Sequence, residues 1–154
     1  MSVTDEDLQD LVDEMDRGRA RWVSGQIDVA EDGSFRQAED MTIFSPFGGA
    51  GPRPGELSPE ALEAAQATVS AQFHGGTGSC ELIHTIVEGD LVVLVMIERH
   101  EVMFEGRDGP QPWVLRTTQV FRRSDRTWVR LHRHADPLIL LRSLDSTLDL
   151  LEGT

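Results

Sequence analysis

Trp113-Val114-Leu115-Arg116-Thr117-Thr118-Gln119-Val120-Phe121-Arg122-Arg123, then Ser124-Asp125-Arg126, then Thr127-Trp128-Val129-Arg130-Leu131-His132-Arg133-His134-Ala135-Asp136-Pro137: two runs rich in β-branched and aromatic residues meet at a short polar linker. That composition predicts a β-hairpin. Pro137 ends the second strand, because proline donates nothing to a ladder. Upstream, Ser79 to Val87 and Leu91 to Glu105 read as two further strands. Glu88-Gly89-Asp90 and Gly106-Arg107-Asp108-Gly109 supply the turns between the strands.

Helices precede this block. Thr4 caps the first, with Asp7 in the capping-box position and an acidic first turn that suits the helix dipole. Leu8, Leu11, Val12, Met15 and Trp22 share one face; Gly18 weakens the middle and Gly25 stops the helix. Residues 26 to 40 are polar, with a short helix at Ile27 to Glu31 or at Ser34 to Glu39, before a short strand from Met41 to Phe44. Ser45 to Pro52 is a loop. Ser58-Pro59-Glu60 starts a second helix that buries Leu62, Ala65, Val69 and Phe73 and stops at Gly75-Gly76. Ile139 to Leu151 reads as a closing helix or a tail. Helices before strands predict an α+β fold, with helices covering one face of a curved sheet.

The 154 residues make one domain. The formal charge of −13 would repel nucleic acid and anionic membranes, so neither is an expected partner. One cysteine, Cys80, excludes an internal disulfide and reads as a small buried hydrophobe. The acidic N-terminus has no basic n-region or apolar h-region, and Leu91 to Ile97 is far too short for a span, so a cytoplasmic location is expected.

Two segments carry a family resemblance: Met41-Thr42-Ile43-Phe44-Ser45-Pro46-Phe47-Gly48-Gly49, and the final hairpin with its x-W-x-x-x-H-x-H ending. Both resemble the SnoaL-like group of the nuclear transport factor 2 superfamily. That superfamily also includes ketosteroid isomerase, scytalone dehydratase and the association domain of calcium/calmodulin-dependent kinase. The resemblance implies a cone-shaped roll: N-terminal helices on a strongly curved, mostly antiparallel sheet, with a pocket mouth between the concave face and the helices.

It also implies where chemistry would sit. The isomerase base falls at Ser45, a residue that needs its own activator to serve. The isomerase tyrosine has no counterpart, since the chain contains no tyrosine, and its protonated aspartate falls near Thr118 or Gln119. Steroid isomerisation is therefore rejected. An acidic residue facing the pocket, as in SnoaL cyclases, would be Glu98 or Glu101, which lie at opposite parity on one strand. Arg99 resembles an arginine of the kinase association domain, whose second arginine falls at Gln119. Residue parity leaves two candidate faces: Arg99 and Glu101 with Thr117 and Gln119, or Glu98 and His100 with Arg116 and Thr118. His132 and His134 share a face but lack a metal motif. Trp22, Phe44, Phe47, Trp113 and Trp128 supply candidate cavity aromatics.

The expectation is a small-molecule pocket protein: an isomerase, cyclase or dehydratase acting on a carbonyl compound, or a non-catalytic ligand-binding or assembly module. Glu101 and Glu98 are the candidate bases; Arg99, Gln119, Ser45, Trp22, Phe44, Arg116 and His132 are candidate ligand contacts. No cofactor and no metal are implied. Leu91 to Ile97 is apolar at both parities, so the second sheet face is expected to be covered by another subunit in a homodimer.

Overall fold

A computed structural model describes residues 2–25 and 36–154. The order is α1 (Asp5–Ser24), β1 (Arg36–Phe44), α2 (Pro59–Ser70), β2 (Phe73–Glu88), β3 (Leu91–Phe104), β4 (Gln111–Ser124), β5 (Thr127–Pro137) and α3 (Leu144–Asp149). The strands form one five-stranded sheet in the order β1-β5-β4-β3-β2. β2 to β5 pair antiparallel, and β1 runs parallel to β5.

The α+β class holds, with helices packed on a mixed sheet, but the cone-shaped roll does not. β1 and β2 lie at opposite edges and do not pair, so the sheet is open, and it is not strongly curved. Strand content and order do not determine closure, which depends on how the edges meet.

α1 begins and ends as its sequence dictates. Thr4 and Asp7 form the reciprocal capping box, and Gly25 takes the left-handed conformation at the C-cap. Asp7 also pairs with Arg123 at the end of β4 (2.8 Å), and Arg123 lies over the Trp128 ring at 5.0 Å. At the other end, Ser70 Oγ donates to the Trp22 carbonyl (2.7 Å), tying α2 to α1. Leu11 and Met15 pack on Val92, Leu94, Met96, Phe121 and Trp128. Val23 packs with Phe73 and Val102, flanked by Trp22, Phe104 and Trp113.

Three boundaries differ from the sequence expectation. β1 starts at Arg36, so Arg36 to Glu39 is strand rather than helix; the alternative helix at Ile27 to Glu31 lies outside the described residues. α2 ends at Ser70, and Phe73 opens β2 instead of completing a helix face. Gly76 lies inside β2, where a Cβ would collide with the Glu101 carbonyl. Among the described residues no helix is long and apolar enough to cross a membrane.

Gly25 has φ of 71°, and a Cβ there would strike the Phe73 carbonyl. Gly25→Ala should therefore cost more than the ~1 kcal/mol of left-handed strain alone, read as a lower urea midpoint with unchanged slope.

Candidate functional site

Alternation along β3 assigns the faces. Val92, Leu94, Met96, Glu98, His100 and Val102 are buried on the helix-covered face, whereas Arg99, Glu101 and Met103 are exposed on the outward face. On β4 the buried set is Leu115, Thr117, Gln119 and Phe121. The β3–β4 register pairs Glu98 with Leu115 and Arg99 with Val114. Gln119 therefore shares a face with Glu98, not with Arg99, and Arg116 and Thr118 belong with Arg99 on the outward face.

β5 adds two arginines to the inner face. Its ladder with β4 slips between Val120 and Phe121, opposite His132 and Arg130, so Leu131 is an extra residue. Arg130 and Arg133 are three apart and on regular alternation would point to opposite faces. The bulge turns both inward.

Between the two apolar clusters the inner face thus carries a buried polar belt. Arg133 donates twice to Glu98, Nη1 to Oε1 at 2.9 Å and Nη2 to Oε2 at 3.2 Å. Thr117 Oγ1 donates to Glu98 Oε1 at 3.5 Å, and Arg130 Nη1 to Gln119 Oε1 at 3.3 Å. From α1, Arg19 pairs with Asp16 and is itself nearly buried. Glu98 is 4% exposed and Gln119 2%. His100 is also buried, and its Nδ1 has no hydrogen-bond partner. Its ring occupies the space that the absent side chain of Gly78 leaves on β2.

Burial pushes the Glu98 carboxyl up, but the charge and hydrogen bonds of Arg133, aided by Arg19 and His100, outweigh it and hold Glu98 below the ordinary carboxylate range. Burial and then the Arg19 charge lower the His100 imidazole, against the opposing pull of Glu98 and of a hydrogen bond to the Trp113 backbone. Cys80, which pairs with Glu98 across the β2–β3 ladder, is pushed up to about 11, chiefly by burial, and stays a thiol. At neutral pH the belt therefore holds a carboxylate, a neutral imidazole and three guanidinium groups.

A cleft of about 500 Å³ opens at one end of the sheet, lined by Phe47, Phe73, Phe104 and Trp113 with Gln72, Glu105, Arg107 and Gln111. Phe47, 64% exposed, tilts over Trp113 at 5.8 Å, and Phe73 meets Phe104 at 4.8 Å and Trp113 edge-on at 5.5 Å. Trp113 pairs with His100 across the β3–β4 ladder. The cleft and the Glu98 row are thus two residues apart along the strands, about 7 Å.

The remaining candidates lie elsewhere. Trp22 packs edge-on against Phe73 at 6.2 Å. Ser45 sits in the turn after β1, its carbonyl accepting from Gly48. Phe44, His132, Arg116, Arg99 and Glu101 are outside the belt: Phe44 stands edge-on to His132 and His134, His132 Nδ1 meets Thr42 Oγ1 at 2.7 Å, and Arg116 pairs with Asp136 at 3.3 Å. His100 lies on the face opposite His132 and His134, and no metal-binding group of His, Cys, Asp or Glu exists among the described residues.

No family model and no curated protein matches the sequence. Solved structures do match. A putative scytalone dehydratase from Novosphingobium aromaticivorans superposes with TM-score 0.66 at 11% identity, covering 90% of this chain and 91% of that one. The Kfla4162 protein of Kribbella flavida gives 0.66 at 14% identity, covering 87% and 92%. A putative dehydratase of the nuclear transport factor 2-like family from Streptomyces avermitilis gives 0.60 at 17%, covering 82% and 96%. The fold is nuclear transport factor 2-like. At these identities the likeness extends to the fold alone.

Both shifted groups in the belt make acid destabilising. His100 is neutral in the folded chain but takes up a proton in the unfolded one, so its contribution is lost as pH falls below 6.5; that of Glu98 is lost below the ordinary carboxylate range. The melting temperature should fall from pH 7.5 to 5.5, and His100→Gln should flatten that fall.

Proposed function

We propose that this chain is a small-molecule-binding protein whose ligand presents an apolar or aromatic body to the Phe47–Trp113 cleft and a carboxylate or polar carbonyl to the belt. The observation that supports it most is the buried Glu98–Arg133 pair beside an unpartnered His100 nitrogen. Both prongs of the Arg133 fork lie on Glu98, so a ligand carboxylate or carbonyl would take the fork over from Glu98, with His100 and Gln119 adding neutral polar contacts. Buried ionic groups add little to stability compared with apolar packing, so their presence on a face otherwise filled by Leu, Met and Phe fits a recognition role. The single cysteine fits a reducing, cytoplasmic setting.

Catalysis is the second reading, favoured by one feature. Glu98 is a weak base while Arg133 holds it. A carbonyl substrate that drew Arg133 to itself would leave Glu98 buried without its cation, and burial would then raise its proton affinity. Glu98 would remove a proton beside the carbonyl while Arg133 stabilised the oxyanion, an isomerase or dehydratase chemistry that needs no cofactor.

The outward face supplies the proposed homodimer surface. Val93, Val95 and Ile97 of β3 lie beside Ile86 of β2 and Val120 of β4. The ion pairs Arg99–Glu81, Arg116–Asp136 and Arg122–Asp90 surround them. An apolar centre with a charged rim is the anatomy of a protein interface.

A thermal-shift screen of small aromatic carboxylates and carbonyl compounds tests the binding reading. At a hundredfold excess over Kd a true ligand should raise the melting temperature by about 5–10 °C. The paired variant Glu98→Gln/Arg133→Gln, which removes both charges together, should abolish the shift. A shift that survives in that variant, or none across the screen, counts against the belt as the site. Any turnover found should fall at least about a hundredfold in Glu98→Gln.

A further inference from the structure

Past Pro137 the chain leaves the sheet. The Leu138 N–H still donates to the Val114 carbonyl (2.9 Å), fixing the departure point beside the start of β4. Beyond it stand Ile139, Leu140, Leu141, Leu144, Leu148, Leu150 and Leu151, all exposed, with Leu140 at 91%. α3 has a Ser143 cap but only six residues, and none of them is buried. So short a helix is unstable alone in water and needs a surface to lie on. Together these side chains offer apolar area comparable with the ~800 Å² that each partner contributes to a stable interface.

Among the described residues nothing covers a second apolar surface, the outward sheet face. Residues 138 to 143, extended, span about 20 Å. Four strand spacings of ~4.8 Å give the sheet a similar width. An arm leaving the end of one sheet thus reaches across the face of a sheet packed against it.

We propose that the C-terminal segment 138–154 is an exchanged arm that docks on the outward sheet face of a second copy of this chain. The proposal rests on the reading of that face as the homodimer surface and adds the arm to it. Two-fold symmetry makes the exchange reciprocal, each arm covering the other copy's sheet. Leu140, Leu141 and Leu144 are the anchors, and Ile86, about half exposed and paired with Val93, belongs to the receiving surface.

Sedimentation velocity on the full chain, with the arm variant Leu140→Asp/Leu141→Asp/Leu144→Asp and the face variant Ile86→Arg, tests both parts. The wild type should dimerise, and each variant should weaken the dimer at least tenfold. The melting temperature of the dilute monomer should not change in the arm variant, because those leucines pack on nothing in their own chain. Hydrogen exchange at Thr147, Leu150 and Leu151, whose amides are bonded within the arm, should be slow in the dimer and fast after dilution. A dimer that Ile86→Arg weakens but the arm variant does not, or arm protection independent of concentration, overturns the arm and leaves the sheet dimer standing. A dimer lost in the arm variant but untouched by Ile86→Arg overturns the receiving face. A wild type that stays monomeric overturns both.

Discussion

The arrangement of the inner face depends on one buried contact, the two-pronged bond from Arg133 of β5 to Glu98 of β3. Neither charge could sit there alone. An isolated carboxylate on this face would take up a proton, and an isolated guanidinium would draw in water. Paired, they cross β4 and tie the two strands that flank it. Removing one partner would cost about 3–5 kcal/mol, much of it the penalty of leaving the other charge buried. On β3, Glu98 lies between Met96, which belongs to one apolar cluster, and Val102, which belongs to the other.

The two sheet faces divide the labour. The inner face is closed by α1, held at its start by Asp7–Arg123 and at its end by Ser70 on the Trp22 carbonyl. It contains the convergent polar groups and adjoins the aromatic cleft. Among the described residues no helix packs on the outward face, which carries half-buried valines within a ring of surface ion pairs. Such exposed pairs contribute little stability singly. The proposed ligand would meet the inner face and the proposed second subunit the outward one.

Local signals were legible and long-range ones were not. Thr4, Asp7 and Gly25 bound α1, Ser58-Pro59 starts α2, and Pro137 closes β5, because each acts within a turn of its own position. β1 from Arg36 was hidden by a polar run whose strand character comes from pairing with β5, far along the chain. Phe73 looked helical by spacing, but Ser70, buried against Trp22, ends α2 first. Glu98 stands out in the sequence as an acidic strand residue, whereas its partner Arg133 does not. Its inward direction depends on the register between β4 and β5 and on the bulge at Leu131, and a one-residue slip reverses every side chain. The same blindness to register placed Gln119 with Arg99. The open sheet was beyond reach for a related reason: closure is a property of edges that no single strand encodes.

A double-mutant cycle between Glu98→Gln and Arg133→Gln, followed by urea unfolding at pH 7.5, tests the central claim most directly. If the pair organises the inner face, each single variant is strongly destabilised, the double variant recovers part of the loss, and the coupling reaches about 2–3 kcal/mol. Additive losses, with coupling below about 0.5 kcal/mol, would mean that the two groups do not depend on each other and would contradict the account.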